Sequence, residues 1–595
     1  MNRLNAAIST LLLITLASAA VTGQKRATKR SETQSIGPSE TTEKKALALV
    51  DQISSASAKF SDDLLRLKTQ TKIADLLWYH DRARARRLFE DVFRAIESLE
   101  PKVGQGYSST APDLVDGLKF EMRKELLQAV SKRDADFAEK LIASIPPARI
   151  PDPAMRQLAF DREIVEHNLM VAIDVVASDP ERAARLGRDS LGRIVSASFT
   201  KMIRLMRATN PELADRLFID ALAAVKRRPA YISNKIGILA PYVFAELKQE
   251  PDDHMAQLSN PEIVAQFLDF VYDALMQQSP TVQVGENSPF GTSSFDQLIL
   301  QRILPYLEKL NPKRGSELRA RIDEIVKAIE DTGRKDLFDT ESEAWAELFR
   351  ANVQELIKKA EESKSLEERD SLYANAAFLL AQRDKEFEKA VLLIEKIGDQ
   401  HQRAYLLTML RPGAVYLALK HGETERAYKL AGDVTKLEEQ IRIFLDIARK
   451  MIEKGEKRRA EVVVDETAGL IQHLTSADGK AEKLLELAAI AVQLDSVRGF
   501  AITRSAVDAT NSAEFGPHWS AQDTYKRTAT PDPPRAVASV AGLEYLRFDE
   551  SFSALARGNF DKALALARTI RMNEASMLAQ LAVCRGVLVP STPTR

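Results

Sequence analysis

A six-residue phrase recurs along the chain: any residue, then Asp, Glu or Asn, three variable residues, and a small residue that is mostly Ala. It reads HDRARA ending at Ala85, RDADFA at Ala138, SDPERA at Ala183 and TNPELA at Ala214. It returns as KEFEKA at Ala390, GETERA at Ala427, GEKRRA at Ala460 and GNFDKA at Ala563. Weaker copies are SNPEIV ending at Val264 and LNPKRG ending at Gly315. Recurrence over a few tens of residues is the signature of stacked supersecondary units. The phrase also starts a helix. Asp or Asn at its second place accepts a hydrogen bond from an orphan backbone N–H. In SDPERA, TNPELA and SNPEIV the next residues are Pro180, Pro211 and Pro261, and proline suits the first helical position. In the C-terminal copies Gly422, Gly455 and Gly558 come first, as expected of a left-handed turn that ends the preceding helix.

An apolar stripe follows each phrase. After Ala85 come Leu88, Phe89, Val92, Phe93 and Ile96; after Ala214 come Leu217, Phe218, Leu222 and Val225; after Val264 come Phe267, Leu268, Val271, Tyr272 and Leu275. These spacings define one face of a helix. The small residue begins the stripe and lets a neighbouring helix approach. The Ala183 copy is poorer, with Gly187 and Ser190 on the stripe. Capping boxes at Thr340…Glu343, Ser365…Glu368 and Thr435…Glu438 predict further helix starts. The helix after Thr435 carries Ile441, Phe444, Leu445, Ala448, Met451 and Ile452 on one face.

The C-terminal copies resemble the tetratricopeptide repeat, in which a helix, a Gly-Asp-like turn and a second helix with a fixed Ala form one unit. Gly422-Glu423 with Ala427, Gly455-Glu456 with Ala460 and Gly558-Asn559 with Ala563 match that turn; Lys385-Glu386 with Ala390 matches with Lys in place of Gly. The family's first-helix Trp-Leu-Gly-Tyr pattern is not clear. The resemblance implies a solenoid of helical hairpins and transfers no catalytic residue. The expected fold is therefore an all-α, irregular α-solenoid, TPR-like in its C-terminal half.

The chain has 595 residues, 84 basic and 85 acidic, for a net charge of −1. Such balance argues against nucleic acid as a partner, which needs a basic surplus to release counterions. The charges are expected to cover outward helix faces. The N-terminus reads as a signal peptide over residues 1–23: a short basic start, an apolar stretch from Ala6 to Ala20 and the small-x-small Ala17-Ser18-Ala19. Lys25, Arg26, Lys29 and Arg30 oppose translocation, so an uncleaved N-terminal membrane anchor is the alternative. No later segment is long and apolar enough to span a bilayer. The only cysteine, Cys584, reads as a small apolar residue of a packed helix. Residues 24–44 read as a disordered linker, 45–333 as an irregular N-terminal helical array, 334–588 as the TPR-like array and 589–595 as a disordered tail. Interruptions fall at 104–110 and 279–294, and the longest, about 512–534, carries His518, Trp519 and Tyr525.

No phosphate loop, nucleophile elbow or His-Glu-x-x-His pair is present, and no cofactor or metal is implied. His80, His401 and His421 lie beside turns, where surface exposure or helix-end bonding is the default. Two functional readings remain. The first is an exported, non-catalytic scaffold that binds a protein or peptide partner, with His518, Trp519 and Tyr525 as candidate contacts. The second is an exported helical enzyme or accessory part acting on cell-wall glycan, since the chain resembles the superhelical half of some periplasmic lytic transglycosylases; a carrier of an apolar ligand is a further alternative.

Overall fold

The computed structural model describes residues 40–60, 62–99, 112–147, 150, 152–227, 232–244, 260–277, 303–331, 353–381, 386–513 and 546–590. Among them the regular elements are α-helices and no strand occurs. No described helix is long and apolar enough to cross a membrane. The expected signal peptide, the interruptions at 104–110 and 279–294, Thr340…Glu343, and the loop with His518, Trp519 and Tyr525 lie outside the described residues. The chain divides into Met1–Lys45 and Ala46–Arg595. The first helix, α1, runs Glu40–Ser57. It begins several residues ahead of the expected end of the linker, because Glu40 and Glu43 favour the positive end of a helix dipole.

Hairpins follow in order. They are α2 (Asp63–Leu77) with α3 (Arg82–Glu97), α4 (Pro112–Ser131) with α5 (Ala135–Ala143), and α6 (Pro153–Val175) with α7 (Pro180–Leu191). Next come α8 (Ala197–Arg207) with α9 (Pro211–Arg227), α10 (Ile232–Val243) with α11 (Pro261–Met276), and α12 (Leu304–Leu310) with α13 (Pro312–Asp331). After α14 (Val353–Glu362) stand α15 (Leu366–Ala381) with α16 (Phe387–Glu395) and α17 (Gln400–Lys420) with α18 (Thr424–Gly432). The last are α19 (Leu437–Glu453) with α20 (Lys457–Gln472), α21 (Ala477–Leu494) with α22 (Ser496–Ser512), and α23 (Phe548–Gly558) with α24 (Phe560–Ala567), closed by α25 (Asn573–Leu588).

Every copy of the phrase opens the second helix of a hairpin. Ala85, Ala138, Ala183, Ala214, Ala390, Ala427, Ala460 and Ala563 are all completely buried. The copies make the turn in two ways. In the N-terminal array the side chain caps the helix: Asp81 accepts from Arg84 N, Asp134 from Phe137 N, Asp179 from Arg182 N, Asn210 from Leu213 N and Asn260 from Glu262 N. In the C-terminal array Glu386, Glu423 and Glu456 make no such cap. Before Glu423 and Glu456 the preceding helix is closed instead. Gly422 and Gly455 sit at φ 71° and 77°, and the N–H groups of Glu423 and Glu456 reach back to Ala418 O and Met451 O. That is the Schellman bond, which only a residue free of Cβ crowding closes without strain.

Some local expectations are corrected. Gly558 does not turn left-handed; it is the last residue of α23, and Asn559 caps α24 through Lys562 N. Thr435 does not cap α19, whose boundary residue is Lys436 with no side-chain cap. Ser365 accepts from Glu368 N, but Glu368 takes the Ser363 hydroxyl rather than closing the box. The weak stripe after Ala183 is a close contact: a Cβ on Gly187 would stand 2.7 Å from Met202 Cε. Ser190 is buried with its hydroxyl satisfied by Gly187 O.

The first and last helices meet. Within Ala46–Arg595, α25 packs on α23 and α24 on one side and on α2 on the other. Cys584 Sγ lies 3.5 Å from Ala46 O, Lys72 pairs with Asp549 at 2.6 Å, and His80 Nε2 lies 3.0 Å from Leu588 O. One apolar core accordingly includes residues from both arrays. A separate cluster, centred on Tyr373, Ala377, Phe387 and Ile394, fills α14 to the first part of α17.

Candidate interaction surface

In six copies the residue just before the small position is an arginine that faces backward to the preceding repeat. Arg84 reaches Asp51 at 2.6 Å, Arg182 reaches Glu139 at 2.7 Å and Asp136, and Arg314 reaches Asp269. Arg426 reaches Glu388 at 2.9 Å, and Arg459 reaches Glu425. Arg498 does the same with Asp465 at 3.3 Å. This last pair belongs to a copy of the phrase that sequence reading missed, Leu494-Asp495-Ser496-Val497-Arg498-Gly499. Asp495 caps α22 through Val497 N and Arg498 N, and the motif's own pattern would have found it. In two other copies a ring takes part in the contact. Lys562 lies 4.3 Å from the Phe500 ring, and Phe137 receives Arg86 at 4.4 Å.

These pairs are largely exposed, so each contributes about 0.2–1 kcal/mol at most. Between α16, α18 and α20 they line an open depression of about 820 Å³. Its cations are already matched: Arg426 also takes Glu423, Arg459 also takes Glu456, and Lys454 donates to Gly422 O. The depression is therefore an assembly surface rather than an anion site.

The first helices carry a different face. On α17, Tyr405 is 66% exposed and Met409 44% exposed. Tyr416 follows eleven residues after Tyr405, about three helical turns, and so shares their side. Arg442 of α19 stacks over the Tyr416 ring at 5.6 Å. Burial pushes the Tyr416 phenol up, with Asp446 and Glu439 adding to the effect against the opposing charge of Arg442. Beyond it, Arg449 bridges Asp446 at 2.8 Å and Glu486 of α21. Lys483 contacts Glu482 at 3.0 Å and Glu486 at 3.4 Å. Burial alone would raise the Glu486 carboxyl. The hydrogen bond from Arg449 and the charges of Lys483 and Arg449 outweigh that and hold it below its ordinary value. The side chains are thus held in place by one another, while the aromatic and methionine end lacks cover.

A third cluster is internal. Arg123 donates Nε and Nη2 to the two oxygens of Glu97 at 2.7 and 2.8 Å, and Nη1 to Glu163. Lys119 Nζ takes the Glu97 carbonyl at the end of α3, at 2.8 Å. His167, 1% exposed, lies 3.4 Å from Glu163 and stacks on Phe120. A bidentate arginine in so dry a place joins α3, α4 and α6 as a structural tie. His80 and His421 stand in turns, and His401 opens α17, where Asp399 caps the helix. Among the described residues no group of His, Cys, Asp and Glu is arranged to hold a metal ion.

No protein-family model matches the chain, and no curated protein does. Among solved structures, one that aligns is described as a "Circular tandem repeat protein with novel repeat topology and enhanced subunit contact surfaces". It is 14% identical, spans 92% of this chain and 96% of its own, and superposes with a TM-score of 0.17. The all-helical repeat fold itself rests on the paired helices and recurring turns.

Proposed function

We propose that this chain is a non-catalytic helical-repeat scaffold that binds a protein or peptide along the first-helix face of its C-terminal array. The observation that carries the reading is the exposed Tyr405 and Met409 of α17, whose far end carries the Tyr416–Arg442 stack and the paired charges of α19 and α21. Aromatic and methionine side chains are favoured in binding hot spots and adaptable contacts. A flanking network that needs no rearrangement keeps the ordering cost of a partner low. The tetratricopeptide-like character of this array is part of the same proposal; the glycine turns at Gly422 and Gly455 with buried Ala427 and Ala460 support it. Export, read from the N-terminal residues alone, places the partner outside the cytoplasm. The loop with His518, Trp519 and Tyr525 stays a second candidate contact.

A photo-crosslinking residue at position 405, expressed in the native envelope, tests this. It should capture a protein that the same residue at position 457, on the second-helix side, does not. Tyr405→Ala with Met409→Ala should lose the partner in a pull-down while the melting temperature holds. Equal capture at both positions would sink the face assignment.

A further inference from the structure

We propose that the head-to-tail seam is a latch: α1 and α2 cap the C-terminal array and release it without unfolding the rest. The last helix of a solenoid ordinarily presents a polar outer face. Here α25 cannot. Leu581, Ala582, Val583 and Cys584 are consecutive and all buried, and four successive positions of a helix span nearly its whole circumference. One side is held by the array itself. Ser553 Oγ donates to Ala582 O at 2.7 Å, and a Cβ on Gly586 would stand 2.3 Å from Ser553 O. The other side is held by the beginning of the chain. Cys584 meets Ala46, Arg585 lies 3.7 Å from Asp75, and Leu588 O lies beside His80.

The latch differs from the neighbouring repeat contacts in one physical respect. Successive helices are tied by turns of a few residues, so they part only if the turn stretches. Across the seam the partners are 477 to 538 residues apart in sequence, and no local turn restrains them. Its polar ties are few and mostly half-exposed: Lys72 and Asp549 are each 34% exposed, and Arg585 is 41% exposed over a 12% exposed Asp75. Exposed ion pairs contribute little. With no connecting turn and few buried polar ties, the seam is where a terminal element can part from the stack before the rest unfolds.

The sole thiol reports on it directly. Cys584 is fully buried at the seam and burial pushes its thiol up to about 12, so a thiol reagent reaches it only when α1 and α2 lift away. In the full-length chain, labelling of Cys584 by a maleimide under native conditions should run faster than global unfolding. Lys72→Glu should speed it by about fivefold, since reversal turns an exposed attraction into a repulsion. Lys72→Asp with Asp549→Lys should return it toward the wild-type rate. Arg426→Glu, which breaks a repeat–repeat pair far from the seam, should leave it unchanged, and helix melting should be alike in all four. If wild-type labelling tracks the denaturant dependence of global helix loss, or if Lys72→Glu labels no faster than Arg426→Glu, the latch does not exist.

Discussion

Replacing Gly315 by Ala gives the small position of the LNPKRG phrase the residue that its strong copies carry. By sequence analogy the change should be harmless or favourable. Relieving a helical glycine gains about 1 kcal/mol from propensity alone. The packing says otherwise. Gly315 is buried in the first turns of α13, and a Cβ there would stand 2.5 Å from Glu308 Cγ, 2.6 Å from Glu308 Cα and 2.9 Å from Glu308 N. Two of those atoms are backbone, so a rotamer change cannot relieve the clash; α12 must move. Overpacking of this kind costs about 1–3 kcal/mol, with the upper half expected when backbone must shift. Subtracting the propensity gain leaves Gly315→Ala less stable by about 1–2 kcal/mol. The matched control is Gly469→Ala in α20, where a Cβ meets nothing within 4 Å; that variant should be more stable by about 0.5–1 kcal/mol. Urea unfolding followed by far-ultraviolet circular dichroism measures both. A Gly315→Ala protein as stable as the wild type would refute the close approach of α12 and α13.

Ala460→Leu, at a completely buried position, should lower the urea midpoint, with a loss of about 1–3 kcal/mol; an unchanged midpoint would mean that α19 and α20 do not meet at this residue. Arg123→Met should be far more damaging, about 3–5 kcal/mol by equilibrium unfolding, because it strands Glu97 and Glu163 without their shared cation. Acid should also weaken the fold. Glu163 and Glu486 have carboxyls held below their ordinary value: burial opposes this, but for Glu163 the His167 ring at 3.4 Å and the Arg123 hydrogen bond and charge prevail, and for Glu486 the Arg449 hydrogen bond and Lys483 charge prevail. Their stabilisation is complete above the unfolded value of about 4.3 and is lost as pH falls through the depressed folded values. Melting temperature should hold from neutral pH to about pH 5 and drop below pH 4, and Glu486→Gln should show a shallower drop.

What the sequence by itself determined is what residues a few places apart decide together. Asp81, Asp179 and Asn210 cap the helices they precede, because cap, turn and first helical residue are neighbours along the chain. The alanines of the phrase are buried for the same reason: a small side chain at the start of an apolar stripe is where a hairpin's helices cross. The choice between closings was partly visible. Gly422 and Gly455 turn left-handed as expected, whereas Gly558 does not, because Asn559 caps the next helix through its side chain and no Schellman closure is needed. Legibility ended where partners lie far apart. Even seven residues back, across one turn, no cap or stripe signals that the Glu308 and Val492 backbones crowd Gly315 and Gly499. The tie of Arg123 to Glu97 and Glu163, the alignment of Tyr405 and Tyr416 beside Arg442, and the meeting of Ala46 with Cys584 join residues up to 538 positions apart. Such contacts depend on how small rotations between successive hairpins add up along the stack. No local motif encodes that sum, and only the tertiary structure decided it.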